Sequence, residues 1–366
     1  GGLAALTGMV VPALGQVFGW IAWLFLAYTI GLVRAFAAVP GAAVPVAVSP
    51  TAVLAIYALI FALTWLARQP PEKRVAVWAG LRRNFSQRAA VSGSLLSLAL
   101  VVLWGASQPD GRLHVAFLDV GQGDAIFIQT PSGRQILVDG GHYPSLLNDR
   151  LGRQMPFWDR QIDLVVATHP DADHVSGLVG VFERFTVDQL VTDGSQMGGT
   201  AVYDAVLLAA QESGVPIHRA QAGETIRIDD GVRLEILNPG PERDETNRNE
   251  NSVSFRLVYG DFTLLLTGDA EQAAEGTMLA SGRPLSALVF KAGHHGSDSS
   301  SSAPFLTAVH PQIIVISVGA ENNFGHPAPE MLGRAADVGA AVLRTDELGT
   351  IEVMTDGRRM WWQSRR

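Results

Sequence analysis

The sequence predicts transmembrane α-helices over residues 1–105, followed by an α/β domain of packed sheets and helices over residues 106–366. The charge divides at the same place, because seven basic residues and one acidic residue precede Gly105, whereas 20 basic and 34 acidic residues follow it. Net charges of +6 and −14 indicate two parts with different surroundings. Three apolar stretches with almost no charge lie in the first part, and short apolar runs ending at Gly, Asp or Asn fill the second.

The first part is predicted to contain about three membrane-spanning helices. A crossing needs roughly 20 apolar residues, and residues 1–33 carry no charge. Burial of these helices in a soluble domain is the alternative, but three stretches with so few charges favour a bilayer. Because the chain opens with Gly1-Gly2 and not with Met, we interpret it as the C-terminal piece of a longer protein. The predicted spans are 10–30, 51–67 and 89–104, the last weakened by serine and glycine.

The loop charges predict the orientation of these helices. The connection 68–88 carries six basic residues against the single acid Glu72, whereas the connection between the first two spans carries only Arg34. Basic loops face the cytoplasm, so one further crossing places the chain after Trp104 outside the cytoplasm. We therefore expect a multi-pass protein of the cell membrane with an extracytoplasmic second part.

The second part alternates strand-like and helix-like segments, which is typical of a layered α/β domain. The chain has no cysteine, which excludes disulfides, thiolate ligands and thiol nucleophiles. Predicted strands are 114–120, 125–130, 135–138, 164–168, 225–228, 232–237, 252–258, 262–266, 287–291, 313–318 and 349–354. Predicted helices are 175–184, 201–213, 271–280 and 329–337.

Four potential metal ligands follow the apolar strand 164–168 directly: His169, Asp171, Asp173 and His174. Such crowding is costly, because carboxylates repel each other and every buried polar group needs a partner. A divalent cation removes that cost. Imidazoles suit Zn²⁺, and the carboxylates shift the preference toward harder ions such as Mn²⁺. An N-cap Asp before a helix is the alternative for one of these residues, but it does not explain all four.

Two later strand ends carry the same kinds of groups. Residues 262–267 run into Asp269, and residues 287–291 run into His294 and His295. Each is weak by itself, since an Asp after Gly is an ordinary turn and paired histidines occur on surfaces. Together they supply a bridging carboxylate and a further imidazole at strand ends where ligands converge.

These motifs resemble those of a broad fold family and of one narrower family. His169-x-Asp171-x-Asp173-His174 is similar to the His-x-His-x-Asp-His signature of the metallo-β-lactamase fold, with Asp in place of the second His. The segments Phe117-Leu-Asp-Val-Gly-Gln-Gly-Asp124 and Phe324-Gly-His-Pro, with Asn251-Ser before a strand pair, resemble the ComEC family of DNA-uptake channels. The membrane part agrees, since Val39-Pro-Gly-Ala followed by Ser49-Pro-Thr looks like the end of the ComEC competence domain.

The resemblance implies an αββα sandwich and an extracytoplasmic nuclease that degrades the DNA strand that is not imported. DNA would be the substrate, and the membrane and other competence-machinery proteins would be partners. The first part would be the C-terminal piece of a channel. The domain charge of −14 is in tension with DNA binding, because nucleic-acid binders usually carry a basic footprint. Two other functions stay open: an esterase, lactonase or phosphodiesterase with a substrate other than nucleic acid, and an inert hydrolase domain that serves as scaffold.

Two-metal phosphodiester hydrolysis is our hypothesis for the chemistry, with Mn²⁺ favoured over Zn²⁺. One of His294 and His295 should be a ligand and the other a phosphate contact, and the spacing does not decide which. His218 is expected at the surface, which leaves the first ion poor in ligands. The expected metal ligands are His169 and Asp171 for one ion, Asp173 and His174 for the other, the bridging Asp269, and His294. The expected catalytic residues are Asp173, His295 and His326, and the expected substrate or ligand-supporting residues are Asp124, Asn251 and Ser297.

Overall fold

The protein is described from a computed structural model. It describes residues 12–37, 57, 60–61, 64–65, 68–74, 92–98, 101, 105, 108–156, 158–228, 231–244 and 246–366. The chain divides into two compact units, Gly1–Ala106 and Ser107–Arg366.

The first unit contains helix α1, Pro12–Ala37, which covers most of the first predicted span. The side chains of Trp20, Trp23, Phe25 and Tyr28 on this helix are exposed. Among the residues described, none of the helices combines the length and the apolar character that a membrane crossing requires. The predicted spans 51–67 and 89–104 lie largely outside the described residues, so the crossings stay predictions.

The second unit contains strands β1–β17 and helices α2–α9. The strands are Leu113–Phe117, Ile126–Gln129, Gln135–Val138, Gln161–Ile162, Leu164–Ala167, Thr186–Val187, Leu190–Thr192, Ile217–Arg219, Thr225–Arg227, Arg233–Asn238, Ser254–Tyr259, Phe262–Leu266, Val289–Lys291, Ile313–Ile316, Ala341–Arg344, Thr350–Thr355 and Met360–Arg365. The helices are Pro144–Gln154, Ala172–Val175, Leu178–Arg184, Ala201–Glu212, Gln272–Ala280, Ala303–Val309, Pro329–Asp337 and Thr345–Leu348.

Two large sheets face each other across an apolar core. One has the order β17-β16-β1-β2-β3-β5-β7-β8 and the other β15-β14-β13-β12-β11-β10-β9, while β4 and β6 form a separate pair. Side chains that alternate along both sheets, such as Val115, Ile128, Leu257 and Leu264, are fully or almost fully buried between them. Period-2 alternation directs one side of each strand to this core.

The outer faces of both sheets are covered by helices. On the first sheet, Leu147 of α2 and Val181 of α4 pack against strand residues such as Val165. On the second sheet, helices α6, α7 and α8 bury a separate cluster that includes Met278 and Phe305. Helix, sheet, sheet and helix are thus four successive layers, and the predicted αββα sandwich is confirmed.

The structure differs from the predicted elements in two instructive places. The predicted helix 175–184 is two helices, α3 and α4, separated by Ser176 and Gly177. A Cβ on Gly177 would lie 1.9 Å from the carbonyl oxygen of Gly140, so the break lets the chain pass against the turn after β3. Helix α2 was not predicted, and only Leu147 and Leu151 are buried along it.

Candidate metal centre

The candidate ligands lie where neighbouring strands end at one edge of the sandwich. Strand β5 leads into His169, β12 leads toward Asp269, and β13 leads into the turn Gly293–Gly296. Because β12 and β13 are parallel neighbours, their carboxyl ends emerge side by side. The three loops that the sequence singled out separately therefore meet at one place.

Four imidazoles surround the carboxylate of Asp269, which is 3% exposed. Nε2 of His174 lies 3.2 Å from Oδ1 of Asp269, and Nε2 of His295 lies 3.4 Å from Oδ2. Nε2 of His294 and Nε2 of His169 lie 3.8 Å and 3.9 Å from the same Oδ2. All four rings direct the same nitrogen toward one carboxylate.

The opposite ring nitrogens of His174 and His295 are held by acceptors. Nδ1 of His174 donates to Oδ2 of Asp139 over 2.8 Å, and Nδ1 of His295 donates to the carbonyl oxygen of Ser317 over 3.0 Å. A carbonyl oxygen can only accept, so the Nδ1 position of His295 carries the hydrogen. In a neutral ring, Nε2 then carries a lone pair.

The other two rings are oriented in the same way. Nδ1 of His294 donates to Oε1 of Glu271 over 2.9 Å. Nδ1 of His169 lies 3.0 Å from Oγ1 of Thr168, a hydroxyl that accepts this hydrogen because it donates its own to Asp139. Each Nε2 lone pair therefore faces the centre, as is typical of metal-binding histidines whose second nitrogen is held by an acceptor.

This donor set fits a divalent cation and leaves polar atoms unsatisfied without one. Nε2 of His174 and Nε2 of His295 are 3.2 Å apart with no hydrogen to share between neutral rings. Nε2 of His169 and Oδ1 of Asp269 are buried without a hydrogen-bond partner among the described residues. Lone pairs and carboxylates facing one another repel unless a cation lies between them.

Two carboxylates lie close to different histidines around Asp269. Oδ2 of Asp171 lies 3.9 Å from Nε2 of His169. Oδ2 of Asp173 lies 3.3 Å from Nε2 of His295, which in turn lies 3.2 Å from Nε2 of His174. Ligand atoms around a tetrahedral Zn²⁺ are about 3.4 Å apart, given bonds of about 2.0–2.1 Å. The observed separations of 3.2–3.9 Å are compatible with two adjacent cations.

The carboxylates of the site raise the pKa of His174 and His295, whereas burial and the neighbouring His174 lower the pKa of His169 to about 3. Burial by itself lowers the pKa of His295, but Asp269 and Asp124 outweigh burial and raise that pKa to about 9. Burial also opposes protonation of His174, and Asp269 with Asp139 raises its pKa well above the ordinary value. Both shifts show that the carboxylates around these rings favour a positive charge at this place, which a bound cation would supply.

Asp124 belongs to the same compact group, but it lies on the Nδ1 side of the histidine rings, away from Asp269. Asp124, His174, Asp269 and His295 each place one ligand atom within 4.8 Å of the others. Oδ1 of Asp124, however, lies 3.4 Å from Nδ1 of His295, the nitrogen that points away from Asp269. Its other oxygen is paired with the ammonium of Lys291. We therefore expect Asp124 to orient a ligand and not to bind the ion.

Three residues of the site adopt the left-handed conformation that non-glycine residues rarely occupy: Asp139 at φ 58°, His294 at φ 46° and His295 at φ 53°. Such strain costs free energy and is found where a function requires a fixed geometry. The unusual turn Gly293–Gly296 lets two consecutive histidines both direct Nε2 toward Oδ2 of Asp269.

The other predicted site residues are placed differently. The ring of His326 lies 5.6 Å from the ring of His294, so it borders the centre. The side chain of Asn251 bonds only the backbone of Asp244 and closes that loop, and Ser297 bonds Ser299. His218 lies on edge strand β8, where it bonds Glu224, in agreement with its expected surface position.

The sequence reasoning missed Asp139, Lys291 and Glu271. Asp139 follows β3 directly, so the rule that singled out Asp269 would have found it. Lys291 is a lone charge in the otherwise apolar run 287–291, a second available signal. No feature of the sequence marks Glu271 as a site residue, because its role depends on where the ring of His294 lies.

An αββα sandwich with histidines and aspartates gathered at one strand edge defines a metallohydrolase-type fold. A family model of the metallo-beta-lactamase superfamily matches residues 118–319, more than half of the chain. The chain therefore belongs to the metallo-β-lactamase superfamily.

Three curated relatives place the chain more narrowly. "ComE operon protein 3" of Bacillus subtilis (strain 168) is 28% identical, over 74% of this chain and 36% of that protein. "Competence protein ComA" of Neisseria gonorrhoeae is 31% identical, over 82% and 42%. "Recombination protein 2" of Haemophilus influenzae is 27% identical, over 71% and 31%. The chain spans about a third to two fifths of these relatives, and they confirm the predicted relationship to the ComEC family.

Proposed function

We propose that this chain is the metal-dependent nuclease part of a DNA-uptake membrane protein and degrades the strand that is not imported. Four histidines direct Nε2 toward Asp269, and this arrangement supports the part of the proposal that concerns metal-dependent hydrolysis. The relationship to "ComE operon protein 3" and "Competence protein ComA" supports the connection to competence. The DNA substrate and the partner proteins of the competence machinery are inferred from that kinship.

The residues divide into two ligand sets in this proposal. His169, Asp171 and His294 would hold one ion, and Asp173, His174 and His295 would hold the other, with Asp269 available to both. Both sets combine imidazole and carboxylate, which suits Mn²⁺ or Zn²⁺. The sequence analysis expected the first ion to be poor in ligands, and His294 would supply the additional one. His295, which was expected to contact the phosphate, would be a ligand instead. When bound, the ions would activate water and neutralise the phosphate oxygens.

The chain's own groups supply orientation and proton transfer. The side chain of Asp173 is 30% exposed, so it is accessible enough to take a proton from an attacking water. Burial, together with the nearby His294, lowers the pKa of His326. A neutral His326 retains one N–H, which can be donated to a phosphate or leaving-group oxygen. Sequence-independent contact through the phosphate suits a domain of −14 charge better than a basic groove does.

We propose further that the hydrolase unit lies outside the cytoplasm and is held at the cell membrane by the segments before it. The apolar stretches in residues 1–105 and the six basic residues of 68–88 support this arrangement. Fusion of a reporter that is active only outside the cytoplasm, placed after Arg366, tests it. Activity of the reporter is expected, and activity of a cytoplasm-specific reporter at the same position would overturn it.

The catalytic proposal is tested on the full chain purified in detergent. After chelation, the protein is supplied with Mn²⁺, Mg²⁺ or Zn²⁺, and metal content and release of nucleotides from linear DNA are measured. We expect about two ions per chain. Asp269→Asn should reduce metal affinity more than about a hundred-fold, beyond the 10–100-fold typical of an outer partner. His218→Gln, on the exposed strand edge, is the matched control.

Two results would contradict the proposal. A protein that binds no divalent ion under any of these conditions has no metal centre. A protein that binds metal and hydrolyses esters or lactones, but leaves DNA intact, is a hydrolase of another class.

A further inference from the structure

An exposed phenyl ring is held rigidly beside the metal centre. Phe324 is 68% exposed, and it lies in the loop between β14 and α8 that also carries His326. One side chain fixes this loop, because Nδ2 of Asn322 donates to the carbonyl oxygens of Gly319 and His326. Oδ1 of Asn322 accepts from the backbone N–H groups of Phe324 and His326. The loop geometry therefore keeps the ring in solvent.

The start of this loop is anchored to the centre. The backbone N–H of Gly319 donates to Oε1 of Gln122, two residues before Asp124. A Cβ on Gly319 would lie 2.9 Å from the backbone nitrogen of Gln122, so the two segments are in close contact. The loop that carries Phe324 therefore begins in contact with the turn that carries Asp124.

Three rings form a continuous path from solvent to the ligands. The ring of Phe324 stacks on His326, with centroids 5.9 Å apart and planes 28° apart. The ring of His326 meets that of His294 edge to face at 5.6 Å. Nε2 of His294 lies 3.8 Å from Asp269. The phenyl ring is thus separated from the ligand His294 by one ring, that of His326.

A fixed, exposed ring next to a phosphate-hydrolysing site is suited to a planar group attached to that phosphate. Aromatic rings bind nucleobases by stacking, whatever the base, because every base has a π face. The bases of a duplex have both faces covered by their neighbours, whereas an unpaired nucleotide offers a face. Phe324 has no polar atom with which to distinguish bases, so it would not select a sequence.

We propose that Phe324 stacks on a nucleobase next to the scissile phosphate, and that the site takes single-stranded polynucleotides. This inference rests on the proposed nuclease function and adds the form of the substrate. His326 supports the ring from below, and the metal ligands receive the phosphate of the same nucleotide unit.

The test compares two single-stranded oligodeoxynucleotides of equal length, one with bases and one made abasic at the central positions, with the full chain loaded with Mn²⁺. Phe324→Ala should raise KM about ten-fold for the base-bearing strand, as expected for one stacked base. It should leave KM for the abasic strand and the metal content unchanged. Phe324→Trp should keep the wild-type KM. Trp362→Ala removes another exposed ring, on the outermost strand β17. This control variant should leave KM unchanged for both strands.

Binding is measured separately by fluorescence anisotropy with phosphorothioate versions of both strands, which resist cleavage. Equal effects of Phe324→Ala on both strands would overturn the stacking inference and leave the nuclease proposal intact. If the wild type cleaves neither strand, the nuclease proposal fails. The stacking inference survives that failure only if the wild type binds the base-bearing strand more tightly and Phe324→Ala abolishes the difference.

Discussion

The ammonium of Lys291 is paired with Oδ2 of Asp124, and neither side chain reaches solvent. Lys291 ends β13, three residues before His294, and Asp124 closes the turn after β1. Burial raises the pKa of Asp124, but Lys291 together with His295 and His174 outweighs burial and holds that pKa at about 2. An ionised carboxylate therefore stays behind His295, 3.4 Å from its Nδ1.

Removal of the ammonium should destabilise the fold strongly. Lys291→Met leaves Asp124 as a buried, unpaired charge, and we expect a loss of about 3–5 kcal/mol in the free energy of unfolding, measured by urea denaturation. The double variant Lys291→Met/Asp124→Asn removes both charges and should recover part of this loss. A loss below about 1 kcal/mol in the single variant would mean that Asp124 finds another partner.

Replacement of Asp139 should weaken metal binding without unfolding the protein. Asp139→Asn keeps the shape but loses the negative charge that holds Nδ1–H of His174. Metal affinity should fall about 10–100-fold in a competition assay with a chelating dye. Asp193→Asn is the matched control, since Asp193 is also buried but bonds Ser195 and Tyr203. Equal losses in both variants would show a general effect of burial and not a role in orienting His174.

Gly123 should tolerate no side chain. A Cβ there would lie 2.0 Å from the carbonyl oxygen of Asp173, at φ 116°. Gly123→Ala must push the Asp124 turn away from the second ligand set, so it should lower both metal content and stability, the latter by more than about 2 kcal/mol. Gly121→Ala, at φ 74° with nothing within 4 Å, should cost only about 1 kcal/mol and keep the metal. Similar behaviour of the two variants would contradict the steric argument.

The pair His114–Glu352 should make stability depend on pH at a distance from the metal centre. A hydrogen bond from Nδ1 of His114 to Glu352, 2.8 Å long, raises the pKa of His114 despite its burial. A raised pKa in the folded state stabilises the fold fully below the ordinary value of 6.5, and the contribution is lost as pH rises through the folded pKa. His114→Gln should therefore cost up to about 1 kcal/mol at pH 5.5 and less at pH 9, as measured by urea denaturation.

The complementary change uses the other partner of the same pair. The same hydrogen bond lowers the pKa of Glu352, so its contribution is present above its ordinary value and is lost as pH falls. Glu352→Gln should give a similar loss at pH 5.5, and the double variant should cost little more than either single one. Full additivity of the two losses would show that the side chains do not interact.

The sequence by itself determined the layers of this fold and the place of its chemistry. Alternating apolar positions define strands with one buried side, and Gly, Asp and Asn mark where those strands end. The crowding of His169, Asp171, Asp173 and His174 after one strand required a cation for local electrostatic reasons alone. Asp269 and the paired histidines were found by the same rule, because ligands converge at the ends of neighbouring strands.

Only the tertiary structure decided what each ring does. His294 and His295 are adjacent in the chain, and spacing cannot say that both direct Nε2 toward Asp269. The answer depends on Glu271 and Ser317, which hold the two Nδ1 atoms from different loops. Lys291 can likewise be buried because its ammonium pairs with Asp124, a residue far away in the chain. Strand ends follow from local sequence, whereas the direction of a side chain follows from partners that only packing brings within hydrogen-bond distance.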